Sequence, residues 1–149
     1  MHKRFAVVLL VLGSVLTPGL SAAAQATIGM VRNSAGAATV TRGGQVLPAA
    51  AGTKLEAGDL LNTGSDGSLG VILRDNSTLS IGPGSRLILR SFVFSPAEGK
   101  LGLFFQLSRG TLSYLSGLIG KLAPESARFE TPVASIGIRG TRFAMKVDE

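Results

Sequence analysis

Three carboxylates stand among glycine, serine and asparagine: Asp59 in Gly58-Asp59-Leu60, Asp66 in Gly64-Ser65-Asp66-Gly67-Ser68, and Asp75 in Asp75-Asn76-Ser77. Turn carboxylates can hold calcium, and a pair of carboxylates flanking a sugar can hydrolyse a glycosidic bond. Calcium takes about six to eight oxygens, which isolated turn aspartates do not supply. Turn chemistry is therefore the expected role, because Asp and Asn tolerate left-handed backbone and hydrogen-bond nearby main chain. Glycosidase chemistry needs two carboxylates held together, and nothing in the spacing pairs any two of these three. It also usually uses aromatic rings for stacking, and aromatics are 5% of the chain, with one Tyr and no Trp. The single histidine, His2, sits in a segment expected to be removed, and cysteine is absent. A Ser-His-Asp triad, a Cys-His pair, a histidine or thiolate metal site and a disulfide are all excluded from the mature chain. The expectation is no catalytic residue, no metal ligand and no cofactor.

A fourth charged residue, Arg139, lies in the otherwise apolar run Ile136-Gly137-Ile138-Arg139-Gly140-Thr141. Its side chain is expected to lie partly buried, which requires a carboxylate partner; a ligand contact is the alternative. Gly140 suggests a backbone position that no Cβ can occupy. Thr131 before Pro132 fixes extended backbone ahead of this run.

Short strands must position these residues. Leu69, Val71 and Leu73 alternate, as do Leu79 and Ile81, then Leu87 and Leu89 followed by Phe92 and Phe94. Leu101, Leu103, Phe105 and Leu107 form the longest alternation. Period-2 spacing predicts strands with one buried face. Turns fall between them at Gly64–Ser68, Asp75–Ser77 and Gly82–Ser85, and Arg42–Gln45 is a further turn after the β-prone Ala37–Thr41. Twenty glycines in 149 residues, about twice ordinary usage, agree with many short elements. The fold class is all-β: an irregular twisted β-solenoid, β-helix-like, or a sandwich of short strands. With few aromatics, the core is expected to be aliphatic. Leu115, Leu118, Ile119 and Leu122 have helical spacing, but Gly117 and Gly120 each disfavour helix by about 1 kcal/mol. Residues 116–122 are therefore either a short helix or a strand extension.

The amino terminus reads as a targeting segment. Lys3 and Arg4 precede the apolar run Phe5–Leu16, Pro18 and Gly19 break it, and Ala22-Ala23-Ala24 offers a cleavage site. This is the order of a secretory signal peptide, with cleavage after Ala24 or after Ala26. The apolar run is shorter than the roughly 20 residues that span a bilayer. The expected organisation is a signal peptide over 1–24, forming the predicted signal helix, and one domain over 25–149. Export to the periplasm follows, with no stable membrane insertion after cleavage. The mature chain keeps 13 basic and 9 acidic residues, a net charge of +4. The basic residues are scattered without interleaved aromatics, which argues against nucleic acid and leaves room for contact with an anionic envelope polymer.

Four pieces, in order, carry a resemblance. They are Gly58-Asp59-Leu60-Leu61-Asn62-Thr63-Gly64; the strand pair Leu69–Ile81 with Asp75-Asn76-Ser77 at its turn; Leu107-Ser108-Arg109-Gly110-Thr111-Leu112; and Glu130-Thr131-Pro132 leading to Arg139-Gly140-Thr141 and Phe143. Together they resemble the FecR domain family, with Asn76 where that family usually has glycine. The motif residues singled out are Gly58, Asp59, Thr63, Asp75, Arg139, Gly140 and Thr141. The matched elements make Asp59 the first expected partner of Arg139, and Asp75 the second. The resemblance implies an all-β extracytoplasmic domain and supplies no reaction. In the iron-uptake regulators that name the family, the domain follows an anti-sigma region and a transmembrane helix, and receives a signal from an outer-membrane transporter. This sequence shows neither of those parts. The expectation is a non-catalytic binding module contacting an envelope protein or polymer. The alternative is a detached signalling domain that acts in a sigma-factor pathway through a separate membrane partner.

Overall fold

The computed structural model describes residues 26–138 and 142–148. The proposed signal peptide over 1–24 lies outside the described residues, as do Arg139, Gly140 and Thr141. The strands are β1 (Thr27–Ala35), β2 (Ala38–Arg42), β3 (Gln45–Pro48), β4 (Lys54–Glu56), β5 (Leu60–Thr63) and β6 (Ser68–Leu73), then β7 (Thr78–Ile81), β8 (Arg86–Ser95), β9 (Lys100–Leu115), β10 (Ala127–Thr131), β11 (Ala134–Gly137) and β12 (Arg142–Val147). One short helix, α1 (Leu118–Leu122), stands among them. The fold is all-β.

The strands join in one sheet in the order β3-β2-β5-β8-β9-β7-β6-β1-β4, with β10 and β12 also paired to β9 and β11 paired to β10. Every pair is antiparallel except β9 with β10. A solenoid stacks its coils in parallel, so of the arrangements left open by the sequence the β-helix is not the one formed. The short strands instead make an antiparallel sheet curled into half a barrel around one core.

Strand β9 organises the sheet because it belongs to both halves. Its first part, Lys100–Arg109, lies between β8 and β10; its last part, Gly110–Leu115, lies between β7 and β12. The join shows in the burial pattern. Leu103, Phe105 and Leu107 face the core, and then Leu112 and Tyr114 do. The side-chain phase slips by one residue because Ser108 has no partner between the Leu87–Leu107 and Arg86–Arg109 pairs. Such a bulge bends a strand and re-aims its side chains. Gly110 completes the bend at φ +93°, where a Cβ would also collide with Ser85. A second bulge in β8, between Leu89 and Ser91, explains why Phe92 follows Leu89 at an interval of three.

The core is mainly aliphatic, with Val31, Val40, Leu55, Leu61, Val71, Leu79, Leu87 and Leu89 each 0% exposed. Each such side chain contributes about 1.5–3 kcal/mol through burial. Phe92 also belongs to it, but four of the aromatics gather in one place. Phe105, Phe129, Tyr114 and Phe143 form one chain of ring contacts, with centroids 4.9–5.7 Å apart. This cluster joins β9, β10 and β12, each of which contributes at least one ring. The aliphatic expectation therefore fails at that end of the core, where the rings pack edge-on and tilted against one another.

Within residues 116–122 the short helix is what forms, after a two-residue link at Ser116 and Gly117. β9 stops at Leu115 and α1 runs over five residues. Helix prevails despite Gly120 because Ile119 is fully buried and the helix start is tied to the β6–β7 turn. Leu118 and Leu122 remain 39% and 61% exposed.

Candidate functional site

Gly58 sits in the turn between β4 and β5 with φ +91° and open space where a Cβ would be, so the backbone angle alone requires glycine there. The turn places Asp59 inside, at 1% exposure. Arg42, the last residue of β2, lies opposite it: the β2–β5 register pairs Thr41 with Leu60, and one step further brings Arg42 across from Asp59. The guanidinium grips the carboxylate in a fork. Arg42 Nε donates to Asp59 Oδ1 at 2.9 Å and Nη2 to Oδ2 at 2.7 Å. Asp59 Oδ2 also accepts from the Glu56 backbone N–H at 2.8 Å, and Arg42 Nη2 donates to the Lys54 carbonyl at 2.9 Å. Glu56 Oε2 stands 3.5 Å from Arg42 Nε. The hydrogen bond to Asp59 raises the Arg42 pKa above its ordinary value, against the opposing pull of burial. This bidentate, charge-assisted geometry fixes β2, β4 and β5 to one another.

Asp75 closes a second knot. It is 0% exposed, at the β6–β7 turn. Asn76 follows it at φ +67°, a left-handed angle that Asn tolerates better than most residues. Asp75 Oδ1 accepts from the Ser77 N–H at 3.0 Å, and Oδ2 accepts from Ser77 Oγ at 2.7 Å and from the Ile119 N–H at 3.1 Å. Ser77 Oγ accepts in turn from the Gly117 N–H at 3.1 Å and stands 3.2 Å from the Tyr114 hydroxyl. The Leu118 N–H donates to the Asp75 carbonyl at 2.8 Å. Burial raises the Tyr114 pKa above the ordinary 10.0, outweighing the Ser77 hydrogen bond, which lowers it. The turn aspartate therefore caps the start of α1 and holds it on the sheet.

Thr63 makes a third tie. Its Oγ1 donates to the Gly82 carbonyl at 2.7 Å and accepts from the Ser85 N–H at 2.9 Å. Ser85 Oγ then accepts from the Thr111 N–H at 3.0 Å, just past the bend in β9. Asp66 is elsewhere, with Oδ1 3.3 Å from the Ala37 N–H.

Asp59, Asp66 and Asp75 are thus each engaged separately, by main chain, by a hydroxyl or by Arg42. Among the described residues no cluster of three His, Cys, Asp or Glu side chains could hold a metal. The cation found on Asp59 is Arg42, which the sequence reading missed. Seventeen residues separate the two, and the signal was the register of β2 on β5, which is legible only once that pairing is known. Arg139, proposed as the partner, lies outside the described residues.

Two shallow grooves flank β12. One crosses the outer face of β7, β9 and β12 and is lined by Thr78, Ser80, Ser113, Leu115 and Arg142. The other lies between β11 and β12 and is lined by Pro124, Ile136, Ile138 and Phe143. Neither holds a convergent set of ionisable groups. No helix among the described residues is long and apolar enough to cross a membrane.

The motif residues of this largely antiparallel sheet tie its turns to its strands. The profile of the family described as FecR protein matches residues 59–149, more than half of the chain, and the chain belongs to that family. This is a family of regulatory, non-enzymatic domains that typically work outside the cytoplasm. The match begins at Asp59, yet β1 to β4 complete the same sheet and supply Val31, Val40 and Leu55 to its core. Comparison with curated proteins and with solved structures returned no match.

Proposed function

We propose that the chain is a non-catalytic interaction module of the bacterial periplasm, exported through a signal peptide over 1–24. Its partner is another envelope protein or an anionic envelope polymer, not nucleic acid, and the mature domain does not insert stably in a membrane. One observation carries this reading: Asp59, Thr63, Asp75 and Ser77 of the two best-formed motifs are buried and are spent on the fold. What the domain offers outward is sheet surface, with Arg32, Arg74, Arg86, Arg90 and Arg142 exposed around it. A widely spread positive charge favours contact with acidic surfaces without defining a pocket.

Family membership favours a second reading, a detached signalling domain that acts in a sigma-factor pathway through a separate membrane partner. The two separate in one experiment. The tagged, exported protein is recovered from periplasmic extract and its companions are identified. Recovery of peptidoglycan or a porin, with no regulator, supports the interaction module. Recovery of a membrane-bound sigma regulator replaces it with the second reading.

A further inference from the structure

Four strands of this sheet pair on one side only among the described residues: β3, β4, β11 and β12. Exposed edges invite pairing with another chain, and proteins blunt them by shortness, proline or bulges. β4 has three residues, β11 has four, and β3 has four and ends in Pro48. β12 has six, without proline, and it pairs with β9 in unbroken register from Arg142–Leu115 to Val147–Gly110. It is also where the apolar face is left half open. On β9, Leu112 and Tyr114 are buried at 0% and 1% exposure. Their β12 neighbours Phe143, Met145 and Val147 pack on the core but are only partly covered.

The charges on β12 choose what can pair with it. Arg142, Ala144 and Lys146 alternate on the outer face and Asp148 follows the end of the strand, all four exposed. Arg142 has no acidic partner among the described residues, whereas Asp148 Oδ1 lies only loosely against Lys146, at 3.6 Å with both side chains largely exposed. In an antiparallel pair of identical strands the register is set by the residue on the two-fold axis. Centring on Ala144 sets Arg142 against Lys146 twice, and centring on Lys146 sets two ammonium groups face to face. Centring on Met145 sets Arg142 against Asp148 at both ends, Phe143 against Val147, and Met145 against Met145. Odd residues then meet odd residues, so both apolar faces lie on the same side of a continuous sheet. Opposite charges directly across a strand pair stabilise it and like charges oppose it.

We propose that β12 is the pairing edge for a second copy of this chain, in an antiparallel two-fold register centred on Met145. The contact joins the two curled sheets into one and covers Phe143, Met145 and Val147 of both copies. A contact of one strand per copy lies at the small end of specific interfaces, so the dimer is concentration-dependent.

The test measures the mass of the exported protein by light scattering at about 0.1 mM, a concentration at which a weak interface is populated. The expected result is a doubled mass that returns to the monomer on dilution. Arg142→Asp and Asp148→Arg, both on exposed side chains, each abolish the dimer without changing the thermal melt, and the double variant restores it. The chain lacks cysteine, so Met145→Cys offers a direct reading of register. Opposed residues in an antiparallel pair have Cα atoms about 4.5–5.5 Å apart, within the disulfide range. Met145→Cys cross-links under mild oxidation, while Lys146→Cys, displaced two residues from its own copy, cross-links at least tenfold more slowly. A monomer at that concentration overturns the proposal. So does a dimer indifferent to both single charge changes, or equal cross-linking of the two cysteine variants.

Discussion

The two buried aspartates of this sheet solve one problem by different means. Asp59 and Asp75 are equally hidden, at 1% and 0% exposure. Asp59 is answered by a guanidinium, and Arg42 stays 32% exposed at the ends of β2 and β5. Asp75 receives two backbone N–H groups and one hydroxyl, inside the junction of the β6–β7 turn with α1. The first is a charge pair with one foot in water. The second is a cap in which every partner is buried. Losing the carboxylate therefore has different consequences: water can replace Asp59 at Arg42, but nothing can replace Asp75 at Ser77 and Ile119.

The largest effect is expected from Asp75→Ala. It leaves two buried N–H groups and a hydroxyl short of an acceptor, at about 1–3 kcal/mol for each unsatisfied group, and should destabilise the domain by about 4 kcal/mol in urea unfolding. It should also free α1, which amide exchange at Leu118 and Ile119 would report. Retained protection at both would break the view of Asp75 as the anchor of α1.

The Arg42–Asp59 pair sharpens the comparison through its asymmetry. Arg42→Ala strands a hidden carboxylate and should cost about 3 kcal/mol, near the lower end for breaking a buried pair. Asp59→Ala leaves a guanidinium that water can reach and should cost about 2 kcal/mol, discounted for that exposure. The double variant should cost less than the sum of the two. Equal single losses, or additivity, would show that the pair is not the unit the geometry describes.

The smallest effect is on pH dependence, and it belongs to the Asp75 region. Burial raises the Tyr114 pKa above 10.0. The unfolded chain therefore releases the phenolic proton first, so stability is intact below pH 10.0 and falls as pH rises from there towards the folded value. Tyr114 is the single tyrosine, so tyrosinate absorbance reads it without interference. Titration of the folded protein at the ordinary value would refute the burial argument. Tyr114→Phe should remove this part of the alkaline loss, at about 1 kcal/mol for the Ser77 contact.

The sequence made some of this legible because local rules suffice for it. Alternation in Leu69–Leu73, Leu79–Ile81 and Leu101–Leu107 marked the strands, and Asp75-Asn76-Ser77 announced a turn whose Asn adopts φ +67°. The order of the Gly58–Gly64, Asp75–Ser77, Arg109–Leu112 and Arg139–Thr141 pieces pointed to the FecR family. Each of these is carried by residues within about ten positions of one another, the range over which side-chain period and turn chemistry act.

What only the tertiary structure decided are the long-range pairings. Arg42 reaches Asp59 because β2 pairs with β5 across an intervening hairpin and β4. Ile119 reaches Asp75 across 44 positions. The slip at Ser108 moves the core face of β9 from odd residues to even ones, and no period in the sequence counts a residue that has no partner. Strand pairing depends on which edges meet once the sheet curls, and that is set by the whole core rather than by any one segment. The residues determined that this chain forms short strands, tight turns and buried aspartates; the closure of the sheet determined which cation, which amide and which strand each of them meets.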